Sequence, residues 1–161
     1  MNSSGSDFRK YSEKDIDFIS EKQSMLSEHH FQYDKDYYEP SDNSKAEFKN
    51  YIAKRITDED FNIIISESSG KINGYVMGWI DKRPPIYKIR SVGYLSNIFV
   101  DNEVRNSGIG KNLYNELENW FLEKNVDYIE IKSDARNTDT INKFRNHGFR
   151  DLSITFYKEA K

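Results

Sequence analysis

The feature that most constrains this chain is a glycine-bearing turn, Arg105-Asn-Ser-Gly-Ile-Gly-Lys111, set between the apolar run Leu95-Ser96-Asn97-Ile98-Phe99-Val100 and a helical pattern that begins near Lys111. A strand that passes through two closely spaced glycines into a helix makes a phosphate cradle. The glycines admit a close backbone approach, and the helix start presents unpaired N–H groups and the positive end of its dipole. Arg105 and Lys111 add full charges, so Arg105, Asn106, Ser107, Gly108, Ile109, Gly110 and Lys111 are the expected anion-binding residues.

Missing residues decide which cradle this is. A nucleoside triphosphatase loop needs four residues between its glycines and a hydroxyl after the lysine, and here one residue separates Gly108 from Gly110 and Asn112 follows Lys111. The dinucleotide fingerprint begins correctly at Gly108 and Gly110 but meets Leu113 at its third glycine, and no strand-helix-strand series precedes it.

The remaining pattern is Arg-x-x-Gly-x-Gly after an apolar strand, carried by Arg105, Gly108 and Gly110 behind Ile98-Phe99-Val100. A second stretch runs from Asn137 through Phe144 to Gly148-Phe149, an Asn leading into a short helix that ends in Gly-Phe. With both motifs in this order and spacing, the chain resembles the GNAT superfamily of acyl-CoA N-acyltransferases over roughly residues 60 to 158.

A chain of 161 residues suits a single domain spanning 1–161. The polar start Met1-Asn-Ser-Ser-Gly-Ser6 is expected to be a disordered tail. The sequence has no cysteine, which removes disulfides, thiolate nucleophiles and cysteine-based zinc sites; three scattered histidines make no metal site. With no signal peptide and no long apolar run, a cytoplasmic enzyme without membrane partners is expected. A formal net charge of −3, with basic and acidic residues interleaved, argues against a nucleic-acid partner. Charged residues reach 32%, polar for a globular chain, yet 11 Tyr and 10 Phe supply bulk for a core.

Periodicity predicts a strand near Asp7–Lys10, then a helix capped by Ser12 with Ile16, Ile19, Met25 and Leu26 inward. An aromatic, acidic loop from Phe31 to Pro40 precedes a helix at 44–56, with Phe48, Tyr51 and Ile52 on one face. Strands at 61–67 and 72–80 flank a Ser68-Ser69-Gly70 turn, and Pro84-Pro85 breaks the chain before the cradle strand at 93–100. Leu113, Leu117, Trp120 and Phe121 place one face of the next helix on a sheet. A strand at 128–132, a helix at 138–146 stopped by Gly148, and a closing strand at 152–157 complete a mixed α/β order.

The resemblance implies an α+β fold with a mostly antiparallel sheet, flanked by helices and splayed between the strands at 93–100 and 128–132. It also implies acetyl-CoA as co-substrate and a primary amine, a small cationic amine or a peptide amine, as acceptor. In such a site the pyrophosphate lies on residues 106 to 111, and the pantetheine arm pairs with Ile98, Phe99 and Val100. Asn137 hydrogen-bonds that arm, and an N–H near Phe99 meets the oxyanion. Relatives that use a side-chain base place Glu or His where this chain has Tyr94 and Ser96, so these two are the catalytic candidates, acting through bound water. Phe144 stands where many relatives carry a proton-donating Tyr, and a phenyl ring has no proton to give. It packs instead against the CoA arm, with Ser133, Tyr157 and water left as donors.

Tyr37, Tyr38 and Glu39, with Asp34 and Asp36, set carboxylates beside aromatic rings, which suits a cationic acceptor. A surface loop with packed aromatics is the alternative. His29 and His30 are expected at a helix end in solvent, and His147 at a helix C-terminus. Exposed strand edges and the aromatic closing strand make a homodimer reasonable. A CoA-binding regulator without turnover and a protein-interaction module are the two readings from other classes.

Overall fold

Strand β1 (Asp7–Lys10) is the first ordered element in a computed structural model that describes residues 5–160. Of the expected disordered tail, residues 1–4 lie outside the described residues, while the Ser6 hydroxyl hydrogen-bonds that of Ser68 at 3.1 Å. The chain continues through α1 (Ile16–Phe31), α2 (Ser44–Ala53), β2 (Phe61–Ser68), β3 (Lys71–Lys82) and β4 (Ser91–Val100). It closes with α3 (Ile109–Glu123), β5 (Ile129–Ile131) and α4 (Thr138–Asn146).

The strands form one sheet in the order β1-β2-β3-β4-β5. Strands β1 to β4 pair antiparallel, and β5 joins β4 in parallel. This is the mixed, mostly antiparallel α/β sheet expected. Helices α1 and α2 cover one face, with Ile19 and Ile52 in one core with Phe61, Ile63, Ile65, Tyr75, Met77 and Phe99 of the sheet. Helix α3 covers the other with Leu113, Leu117 and Phe121 against Ile64, Val76 and Leu95. Trp120, expected inward, is only partly buried.

Helix ends follow from local chemistry. Before α1, the Ser12 N–H and hydroxyl both donate to Asp15, at 2.8 and 3.0 Å, and a short 3-10 turn (Glu13–Asp15) leads into the helix. Asp15 is also gripped by Arg9, at 2.7 and 2.9 Å, and Arg9 reaches Glu67 on β2 at 2.8 Å. Burial pushes the Asp15 carboxyl up, but the bonds from Arg9 and Ser12 outweigh it and hold it below its ordinary value.

Both α3 and α4 stop in the same way. Asn125 and Gly148 turn left-handed at φ 56° and 88°, and Val126 and Phe149 donate back to the carbonyls of Phe121 and Phe144 at 3.0 and 3.1 Å. In each pair the apolar side chains meet as well. The Gly148 stop is thus as expected, and His147 donates Nδ1–H to the Lys143 carbonyl at 2.7 Å.

The closing strand expected at 152–157 does not form. Those residues have no ladder partner, and Leu152, Ile154 and Phe156 are 77, 78 and 89% exposed. Alternation supplies a strand's faces but not its neighbour, and β5 is only three residues long. The segment is tied at its ends instead, by the Arg145–Asp151 ion pair at 2.5 Å and by a hydrogen bond from Tyr157 to Asp34. Smaller differences concern ends: α2 stops at Ala53 rather than near 56, and α3 starts at Ile109.

Two predictions follow from this packing. A Cβ on Gly93 would stand 2.7 Å from the Phe121 ring. Gly93→Ala should therefore destabilise by about 1–3 kcal/mol in thermal melts, with partial recovery on adding Phe121→Leu. The gap in Tm between wild type and Asp15→Asn should be full at neutral pH. Because the native carboxyl lies below its unfolded value, that gap should close as pH falls below about 4.

Candidate active site

The cradle sits where α3 leaves β4. Arg105 is extended, Asn106 and Gly108 are left-handed at φ 62° and 88°, and the first helical bond runs from Asn112 N–H to the Gly108 carbonyl at 3.0 Å. Left-handed residues of this kind turn successive N–H groups to one side. Among the described residues, no acceptor meets the N–H groups of Asn106 to Lys111. Ser107 braces the turn by donating to the Val104 carbonyl at 2.6 Å. Ile109 is buried against the α3 core, while Arg105 and Lys111 are exposed. Neither cation has an ion-pair partner among the described residues, and Arg105 Nε reaches only the Val100 carbonyl, at 3.4 Å. Gly110 faces Val100, whose Cγ2 would be 3.5 Å from an added Cβ, an ordinary contact that leaves space for a side chain at this position.

Beside the cradle the sheet opens. Strand β4 pairs with β5 only at Gly93–Leu95 against Ile129–Ile131, whereas β3 follows β4 as far as Val100. Residues 97–100 therefore have one paired edge and one unpaired edge. The register against β3 slips at the same place: Leu95 faces Gly78 and Asn97 faces Met77, so Ser96 is the extra residue of a bulge. Ile98 and Val100 turn toward α3, and Phe99 turns to the opposite face, stacked on Tyr75 at 5.9 Å.

Tyr94 packs on Trp79 with ring centroids 4.7 Å apart, and Lys132 stands over its other side at 5.6 Å. Burial, with the charges of Asp81 and Glu130, raises its phenol above the ordinary value, so Tyr94 keeps its proton at neutral pH and is no base. Ser96 lies at the bulge, 3.4 Å from the Asn97 amide nitrogen. Asn137 caps α4 by accepting the Thr140 N–H at 3.3 Å, and its own amide N–H groups meet no acceptor among the described residues. Phe144 packs on Phe149 at 5.7 Å.

The aromatic loop is tied down. Tyr38 donates to Asp134 at 3.3 Å and lies beside His30, while Tyr37 contacts Tyr157. Glu39 is exposed. Asp134, which sequence reasoning missed, receives three bonds from Arg136, two from the guanidinium at 2.8 and 2.7 Å and one from the backbone N–H at 2.9 Å, and these hold its carboxyl far below the usual range. Arg136 Nη1 reaches back to donate to the Tyr33 carbonyl at 2.5 Å. Gln23 and Asn97 were also missed; the signal was two polar residues in a row, Ser96-Asn97, inside an otherwise apolar strand.

A family model, acetyltransferase (GNAT) family, matches residues 23–149. The chain belongs to the GNAT acetyltransferase family. Solved structures with this GNAT fold include a tetramutant of the BH1408 protein from Bacillus halodurans, 19% identical over 95% of this chain and 99% of that one, TM-score 0.80. Another is a predicted acetyltransferase with acetyl-CoA from Clostridium acetobutylicum, 19% identical over 96% of both chains, TM-score 0.74. A third is the aminoglycoside N-acetyltransferase AAC(6')-Iy in complex with CoA, 17% identical over 100% of both, TM-score 0.73. At such identities the likeness is one of fold. A sequence search of curated proteins returns no match. In this GNAT chain, among the described residues, no group of three His, Asp or Glu side chains could hold a metal, and no helix is long and apolar enough to cross a membrane.

Gly110→Glu tests the cradle cleanly. An acidic residue in the first turn of α3 suits the helix dipole, so Tm should hold or rise. Calorimetric affinity for acetyl-CoA should fall by about 100-fold, about 2.8 kcal/mol.

Proposed function

We propose that the protein moves an acetyl group from acetyl-CoA to a primary amine by direct attack. The observation that carries this reading is the adjacency of two unfilled backbone arrays, the N–H cradle of residues 106–111 and the unpaired edge of β4 at 96–100. A diphosphate suits the first, with Arg105 and Lys111 supplying countercharge. An amide-rich arm suits the second, since it can add to the strand edge as a neighbouring strand would. The two together match a CoA thioester and leave its reactive end near the bulge, with Ile98, Phe99 and Val100 alongside.

The chain's own groups then perform modest chemistry. A backbone N–H near Phe99 stabilises the developing oxyanion, and Asn137 steadies the arm with its amide. No carboxylate or imidazole occupies the positions of Tyr94 and Ser96, so the amine loses its proton to water. The thiolate, with a thiol pKa of about 8.5, leaves without a phenol at Phe144. The acceptor is a small cationic amine or a peptide amine: Tyr37, Tyr38 and the exposed Glu39 form the border facing it, with Asp34 and Asp36 adding negative charge.

A panel of polyamines, amino sugars and dipeptides, assayed by thiol release with acetyl-CoA, should show at least one amine turned over in proportion to enzyme. Acetyl-CoA binding with no thiol release from any amine would make the protein a CoA-binding regulator instead. No binding heat at all would leave an interaction module.

A further inference from the structure

We propose that Asn97, held in place by Gln23, is the side chain that accepts a hydrogen bond from the acceptor amine and aims its lone pair at the thioester. This rests on the acetyltransferase reading above.

The bulge at Ser96 makes the arrangement possible. In regular β4 pairing, successive side chains alternate between faces, and Leu95 points to the α3 side. The extra residue resets the phase, so that Asn97, opposite Met77, falls on the α1 side at the point where β5 has left the sheet. There its Nδ2 donates to Gln23 Oε1 at 2.8 Å. Gln23 Oε1 also accepts from the Tyr75 hydroxyl at 3.5 Å, and burial raises that phenol so that it remains a donor. Two donors on one oxygen fix the Gln23 amide, and through it the Asn97 amide.

The consequence is an oxygen without a partner. Asn97 Oδ1 is buried and meets no donor. Leaving such an atom unsatisfied is unfavourable, and a donor arriving with substrate removes that cost. Other buried unpartnered oxygens among the described residues lie elsewhere: Asn62 on β2, Asn73 in the β3 bulge, and the hydroxyls of Ser20 and Ser66. Asn97 alone of these stands on the stretch of β4 whose edge is open. Lys22, next to Gln23 in α1, lies over the rings of Phe18 and Phe99, at 5.3 and 5.6 Å, and is paired with Glu21 at 3.2 Å.

A neutral amide oxygen orients an amine without taking its proton. The ammonium first gives one proton to water, and one remaining N–H then donates to Asn97 Oδ1. Nitrogen bonds to the acetyl carbon, the C–S bond breaks, and the electron pair leaves on sulfur. The second departing proton goes to water, the thiolate takes one from solvent, and one proton is released overall.

Wild type, Asn97→Leu and Asn97→Asp should be compared by acetyl-CoA calorimetry, thermal melts and kinetics with the best amine of the panel. Asn97→Leu removes the orphan oxygen at similar volume. It should keep Tm and acetyl-CoA affinity while kcat falls about 100-fold. Asn97→Asp should recover turnover and move the acid limb of kcat/KM to lower pH, since a carboxylate can take the proton that the amide cannot. Unchanged kcat in Asn97→Leu overturns the proposal, as does a parallel loss of acetyl-CoA binding, which would assign Asn97 to holding the co-substrate. Wild type that fails to bind acetyl-CoA, or binds it and turns over no amine, overturns the transferase reading and this inference with it.

Discussion

Helix α3 lies directly on sheet backbone at Gly74, Gly78 and Gly93, where added Cβ atoms would meet neighbours at 2.7–3.1 Å. This contact sets the site. With Leu113, Leu117 and Phe121 seated on the sheet, the first turn of α3 has one position available, beside the end of β4. Each fully buried side chain of that size contributes about 1.5–3 kcal/mol, enough to hold a helix start whose N–H groups remain unpaired. An anion site costs nothing in backbone strain beyond Asn106 and Gly108, two residue types that tolerate the left-handed region.

The second constraint is the early end of the β4–β5 ladder. Parallel pairing at three positions holds the strands together near Gly93, and the bulge at Ser96 redirects β4 where pairing stops. The open edge beyond leaves backbone groups without a strand partner, and the reset phase turns Asn97 to the α1 side of the sheet. In the reaction proposed for this cleft, placement matters more than proton transfer. Tyr94 is locked between Trp79 and Lys132 with its phenol raised, Ser96 is a weak base, and Phe144 carries no proton. The proposed reaction therefore relies on a preorganised oxyanion donor and an oriented amine.

Much of this was legible in the residues. Gly108 and Gly110 marked a tight turn into a helix because few backbone geometries need that spacing, and the apolar period of α3 named its buried face. The segment 152–157 misled because alternation describes a strand's faces while its existence requires a neighbour's hydrogen bonds. The Ser96-Asn97 pair was readable as a break in alternation, though nothing in the sequence tells which partner strand slips or which helix meets the displaced side chain.

Local chemistry written in the sequence thus determined the helix stops at Asn125 and Gly148, the left-handed turn of the cradle and the absence of a side-chain base on β4. Tertiary structure alone decided that Gln23, 74 positions away, would grip Asn97, and that Arg136 and Tyr38 would converge on Asp134. The reason is physical: caps and turns are settled by neighbours within a few bonds. A cleft is made where strands from distant parts of the chain stop pairing, and its contacts exist only once the helices have packed on both faces of the sheet.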